Sequence, residues 1–183
     1  MKKKLKLWEV NVLILFTTVS VFLIIIVISF YNFSQSLYRN YKEILVQNGL
    51  LLESQISELI EAPEKIQKLC ENLKDDKMQI TVVLRNGKVI GDSRKKPEEL
   101  ANQLDQAEIH SALNGQIKSY VRHGEGFQYK SLYIALPIHK GNEIVGVMIN
   151  SVPISVIDAQ MNHLFLSIMV GSLLIVVIAF YFI

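Results

Sequence analysis

Five side chains have the types and placement to bind something small: Asp92, Ser93, Tyr120, Arg122 and Tyr133. An arginine among tyrosines offers directed N–H donors that can hold an anionic ligand. Asp92 and Ser93 close one predicted strand and open the helical stretch that follows it. The same residues also suit a solvated outer sheet face, with Ser93 capping a helix. Other chemistries find little support. His110 with Glu108, and His123 with Glu125, offer two metal ligands each, and a metal centre needs more. Gly124-x-Gly126 precedes a strand rather than a helix, so it makes no nucleotide cradle. No nucleophile stands at an informative spacing from a base. The chain reads as one that binds, with no catalytic residues, no metal and no cofactor of its own.

The elements that position these residues are framed by two apolar runs. Residues 10–30 and 164–183 carry no charge. Each is long enough to cross a hydrocarbon layer as one helix, which takes about 20 residues. Lys2, Lys3, Lys4 and Lys6 precede the first run, and no basic residue follows it until Arg39. The positive-inside rule places residues 1–9 in the cytoplasm, 10–30 across the membrane, 31–160 outside, and 161–183 as the returning span. A cleaved signal peptide fits less well, because the first run exceeds a signal core and no small-x-small site follows Phe30. Tyr31, Phe33 and Tyr38 suit an interfacial aromatic belt. The lipid bilayer is thus the first partner. Residues 31–163 hold 15 Lys and Arg against 16 Asp and Glu. That balance gives no electrostatic footprint for nucleic acid. Cys70 is the single cysteine, so no internal disulfide forms. It lies on an apolar helical stripe with Ile66, Leu69 and Leu73. It reads as a packed small hydrophobe, an intersubunit disulfide being the alternative.

Residues 34–61 have helical periodicity, with Tyr41, Leu45, Leu52, Ile56 and Leu59 on one face and Asn48 amid them. The first span and this segment can form one rod of about 80 Å at 1.5 Å per residue. Asn48 either fixes the register of a dimeric helix pair or, with Gly49, marks a kink or break. Pro63 starts a second helix over 64–73. The period then changes to two. Residues 80–84 and 88–92 form a hairpin about Asn86-Gly87, whose residues tolerate positive φ. Short helices over 98–104 and 107–113 follow, then strands over 117–123, 129–138 and 143–151, with turns at 124–126 and 140–142. Pro153 ends the sheet, and an exit helix runs into the second span. Ile80, Val82 and Leu84, with Leu132, Ile134 and Leu136, are core. The fold class is α+β: a five-stranded antiparallel sheet with a long N-terminal helix, between two transmembrane helices.

The stretch Ile80-Thr-Val-Val-Leu-Arg-Asn-Gly-Lys-Val-Ile-Gly-Asp92-Ser93 resembles the first hairpin in the sensor region of phosphate-regulon (PhoR-type) histidine kinases. Pro97-Glu-Glu-Leu, Ala107-Glu-Ile-His-Ser-Ala-Leu-Asn-Gly115, Leu132-Tyr-Ile-Ala-Leu-Pro137, Gly146-Val-Met-Ile-Asn-Ser-Val-Pro153 and Ile157-Asp158 are similar in style. The resemblance implies a single PAS-related, Cache-like extracytoplasmic domain in the bacterial cell membrane. It also implies a homodimer, a response regulator reached through an ATP-dependent kinase core, and a further membrane protein as partner, with phosphate itself not implied as the stimulus. That core is missing here. None of His110, His123, His139 and His163 has the His-Glu/Asp-x-x-x-Pro surroundings of a phospho-acceptor. The chain is therefore read as the sensory, membrane-anchoring fragment of a longer kinase. A stand-alone two-span binding module, or the sensor of a chemoreceptor or cyclic-nucleotide enzyme, is the alternative.

Overall fold

The computed structural model describes residues 6–124 and 129–181. The chain divides into two compact units, residues 39–159 and residues 1–38 with 160–183. The larger unit is built from part of α1 (Leu7–Leu59), α2 (Pro63–Asn72), β1 (Gln79–Leu84), β2 (Val89–Asp92), a single 3-10 turn (Pro97–Glu99), α3 (Ala107–Leu113), β3 (Lys118–His123), β4 (Lys130–Lys140), β5 (Glu143–Pro153) and the start of α4 (Ile154–Tyr181). The five strands pair antiparallel in the order β2-β1-β5-β4-β3.

The sheet is buried on both faces along β2, β1, β5 and β4, which corrects the reading of a solvated outer face there, while the edge strand β3 stays exposed or half-buried. Every residue of β4 from Ser131 to Ile138 is buried. On one face Ile80, Val82, Ile138 and Met148 pack with Ile56, Ile66 and Cys70 of the two N-terminal helices and with Ile60 between them. On the other, Val83, Val89, Tyr133, Ala135, Val147 and Ile149 pack with Ile109 and Ala112 of α3. Alternate residues thus enter two different cores, as strand geometry requires. Cys70 is 1% exposed, and burial pushes its thiol up to about 12. It is a core residue and is closed to an intersubunit disulfide.

Three local expectations change. The helix does not break at Asn48-Gly49: α1 runs through both. Gly49 is where that helix meets the sheet, since a Cβ there would lie 2.6 Å from Leu136 Cδ1 and 3.1 Å from Asn150 Nδ2. Asn150 donates to the Leu45 carbonyl at the same joint, at 2.7 Å. The predicted helix over 98–104 shortens to the turn Pro97–Glu99. The segment is tied to the β1–β2 turn instead: Gln103 N donates to Gly87 O, and the Asn102 side-chain Nδ2 to Asn86 O, both at 2.9 Å. The first of these satisfies a backbone group that a helix would otherwise pair internally. Finally, the stripe read as a dimer seam faces its own sheet. Leu45 and Ile56 are fully buried, Leu52 and Leu59 pack on the first core, and Tyr41 is half-buried. Asn48 is half-buried too, with its Nδ2 3.8 Å from Met78 Sδ. The turn expected at 124–126 falls largely outside the described residues.

The smaller unit is helical. The α1 and α4 helices each hold a stretch long and apolar enough to cross a membrane. Phe30 and Phe165 meet edge to face there, with ring centroids 5.2 Å apart.

Gly49 yields a direct test. Alanine gains about 1 kcal/mol of helix propensity over glycine, which offsets part of its clash with Leu136. Valine gains less and clashes more, so Gly49→Val is expected to lose about 1–3 kcal/mol of stability by overpacking. Denaturant unfolding of the two variants checks this; equal stability for both would show that α1 has room to lift.

Candidate functional site

Strand register builds the site. Gln79 pairs Ser151, Ser151 pairs Tyr133, and Tyr133 pairs Tyr120, so these four form one row across four strands. The next same-face row runs Asp92, Thr81, Ile149, Ala135 and Lys118. Arg122 lies diagonal to Tyr133 on that face, within reach of a long side chain. Polar groups are thus carried into a face that α3 covers. Between them remains a cavity of about 40 Å³, lined by Gln79, Thr81, Asp92, Gln103, Arg122 and Tyr133, with apolar Val89, Leu100 and Ile149. That is room for about one water molecule. Pockets for drug-sized ligands run to about 300–1,000 Å³.

Asp92 is 1% exposed, and its carboxylate is saturated. One oxygen accepts from Gln79 Nε2 (2.8 Å) and Thr81 Oγ1 (2.6 Å). The other accepts from the backbone N–H groups of Arg94 (2.8 Å) and Lys95 (2.9 Å). An ionised carboxylate has about four acceptor positions, and all are used. Asp92 therefore fixes the chain's turn out of β2 and has no position left for a ligand. Its backbone is clasped by the Gln67 side chain, which accepts from Asp92 N (2.9 Å) and donates to Asp92 O (3.2 Å). This caps the edge strand β2 from α2.

Arg122 stacks on Tyr133, its guanidinium carbon 4.1 Å from the ring centroid. Its Nε and Nη2 both donate to Glu108 Oε1, at 2.8 and 2.6 Å. Glu108 is 1% exposed, and its Oε2 is buried without a hydrogen-bond partner. A second clasp joins the same elements: the Ser111 and Tyr120 hydroxyls lie 2.7 Å apart. So α3 is bolted to β3 by one ion pair and one hydrogen bond.

Of the five residues singled out from sequence, Asp92, Arg122 and Tyr133 line the cavity. Tyr120 stands beside it, on Ser111. Ser93 does not cap a helix. Its Oγ accepts from Ile80 N at 3.1 Å, and its N–H donates to Ile80 O at 2.9 Å, which prolongs the β1–β2 pairing. Sequence reasoning missed Gln79, Thr81, Gln103 and the role of Glu108. The signal for Glu108 was present: it shares a helix face with Ala112, four residues on, and that face is buried. Among the described residues no group of three His, Cys, Asp or Glu side chains is placed to hold a metal.

No protein-family model and no curated protein matches the chain. Solved structures do. The ligand-binding domain of the Campylobacter jejuni chemoreceptor Tlp3, crystallised with L-valine, superposes with a TM-score of 0.58 at 17% identity, covering 80% of this chain and 66% of that one. The E. coli DcuS sensor domain gives 0.51 at 19%, covering 66% and 97%. The ligand-binding domain of the Pseudomonas aeruginosa amino acid chemoreceptor PctC, in complex with GABA, gives 0.51 at 14%, covering 70% and 60%. The chain spans about half to two thirds of the length of the first receptor domains it matches. At these identities the likeness is one of fold: the chain shares the Cache-like fold of these domains.

The Glu108–Arg122 pair sets an expectation for stability. Removing one partner leaves a buried charge uncompensated, which costs about 3–5 kcal/mol, whereas apolar replacement of both is often neutral. Arg122→Met is expected to lose about 3 kcal/mol, the low end because the arginine side chain is 24% exposed. Adding Glu108→Leu should recover most of the loss in denaturant melts. A double variant no better than the single would show that the pair is not the source.

Proposed function

We propose that this chain is the sensory and membrane-anchoring part of a bacterial signalling receptor, of the two-component histidine kinase type. In this reading residues 1–9 are cytoplasmic, 10–30 and 161–183 cross the plasma membrane, and 31–160 form the extracytoplasmic sensor. The observation that carries it is a small polar cavity inside a Cache-like fold whose first and last helices continue into apolar stretches. The Cache-like fold is shared with domains that bind valine in Tlp3 and GABA in PctC, which supports a ligand as the stimulus here. At about 40 Å³ the cavity admits only a very small ligand unless the segment carrying Leu100 and Gln103 moves outward. A ligand that prefers one position of that segment shifts the balance between two states of the domain. Small helix shifts then pass inward along α1 and α4. The output is phosphotransfer to a response regulator through an ATP-dependent kinase core. The kinase assignment rests on the PhoR-like hairpin from Ile80 to Ser93. A chemoreceptor output is the second reading, favoured by the Tlp3 and PctC folds.

The receptor acts as a homodimer in this reading. With Leu45 and Ile56 turned to the sheet, the face of α1 left for a partner carries Ile44, Leu50 and Leu51, which are exposed. Leu51 is 78% exposed, unusual for leucine on a domain helix.

Two experiments test the proposal. Residues 1–183 are fused to the cytoplasmic core of a sensor kinase with a transcriptional reporter, and the cavity is filled by Ile149→Phe. Reporter output is expected to lock at one level in all media, with a cysteine at Gln116 labelled by impermeant maleimide in intact cells. Output indifferent to Ile149→Phe, or labelling only after lysis, rejects the reading. Separately, in a Cys70→Ser background, Leu51→Cys and Ile44→Cys should form oxidative crosslinks in membranes while Ile56→Cys does not; equal yields at all three positions argue against this dimer face.

A further inference from the structure

Arg122 lines the cavity, yet its charge is already taken. Glu108 Oε1 receives both Nε and Nη2 of the guanidinium. The second carboxylate of the site, Asp92, has its four acceptor positions filled by neutral donors. Among the described residues, Asp92 in the cavity lining and Glu108, which pairs with Arg122 from outside that lining, set two buried carboxylates against one guanidinium. Glu108 Oε2, buried and unpartnered, adds a surplus acceptor. Arg122 keeps N–H donors beyond those given to Glu108. One of them reaches only the His123 carbonyl, at a long 3.3 Å.

We infer that Glu108 is the specificity-determining residue of this cavity: it serves as a built-in carboxylate ligand of Arg122, so the site excludes anions such as inorganic phosphate and short carboxylates and admits small uncharged hydrogen-bonding molecules. The inference rests on the cavity being the sensing site, and it refines which chemistry that site takes. A buried anion is stable only where paired positive charge and donors outweigh its desolvation. Here the one cation is neutralised, and an incoming anion would meet two fixed negative charges at low dielectric. A neutral carbonyl or hydroxyl group needs only the N–H donors that Arg122 retains and the polar atoms of Gln79 and Thr81 beside it. This reverses the expectation that an arginine among tyrosines holds an anion. The arginine is suited to one, but the chain supplies its own.

The test uses the full chain in detergent or nanodiscs, with phosphate, formate, acetate and acetamide as probes. Glu108→Gln keeps the shape and an acceptor for Arg122 while removing the charge. Acetate or phosphate is expected to bind Glu108→Gln at least roughly tenfold tighter than wild type by calorimetry. Glu108→Ala leaves a space beside Arg122. Its lowered melting temperature should rise again with formate or acetate and not with acetamide, which decides the matter even where the Gln variant fails to fold. Two results overturn the inference. One is wild-type binding of phosphate or acetate that Arg122→Met abolishes. The other is indifference of both Glu108 variants to every anion. Neither readout involves signalling, so failure here leaves the sensor reading to its own reporter test.

Discussion

A five-stranded sheet covered on both faces is the constraint on which this domain depends. Once α1 and α2 take one face and α3 the other, polar groups carried on the strands lose access to water and must find partners inside. The domain meets that demand at three places. Asp92 is satisfied by four neutral donors and fixes the turn out of β2. Asn150 reaches across to the carbonyl of Leu45 and marks the joint between α1 and the sheet. Glu108 pairs with Arg122, which lines the cavity, and so binds α3 to β3. In Asn150 and Glu108 the satisfaction is incomplete, since Asn150 Oδ1 and Glu108 Oε2 lack partners.

Further joints fix how the elements sit on the sheet. The first helix is held to the far end of β4 by a group of polar contacts: Glu53 accepts from the His139 backbone and approaches its Nδ1 at 2.7 Å. Ser57 donates to the His139 carbonyl, and Lys140 pairs with Glu61, whose carboxyl is held below its usual range by that lysine. Exposed pairs of this kind contribute little energy each. Their value is positional, since they set where α1 lies along the sheet. The α3 element is seven residues long, held by two side-chain clasps and by Ile109 and Ala112 in the second core. The cavity itself is lined by Leu100 and Gln103 of the segment before α3.

Much of the architecture was legible because it follows from periodicity and from strong local signals. The Asn86-Gly87 turn, with Gly87 at φ 82°, fixes the first hairpin. Pro63 opens α2, and the alternation in 132–138 marks a strand. The expected helix over 98–104 failed because its backbone found partners on the β1–β2 turn, a non-local bond that no window of sequence reveals. The stripe from Tyr41 to Leu59 was correctly seen as apolar, but what it covers is its own sheet. Periodicity gives a face and is silent on the identity of the surface it meets.

The sequence by itself determined the two apolar stretches, the α+β class and the strands. These depend on composition and short-range pattern, which act through hydrophobicity and backbone preference. Only the tertiary structure decided what Arg122 and Asp92 are free to do. Both stand out in the sequence as candidates, and in the fold both have partners, one in Glu108 and the other in Gln79, Thr81 and two backbone amides. The physical reason is that a charge's availability depends on which partners burial forces upon it. Those partners come from elements that register and packing bring together, fourteen residues away for Glu108 and Arg122.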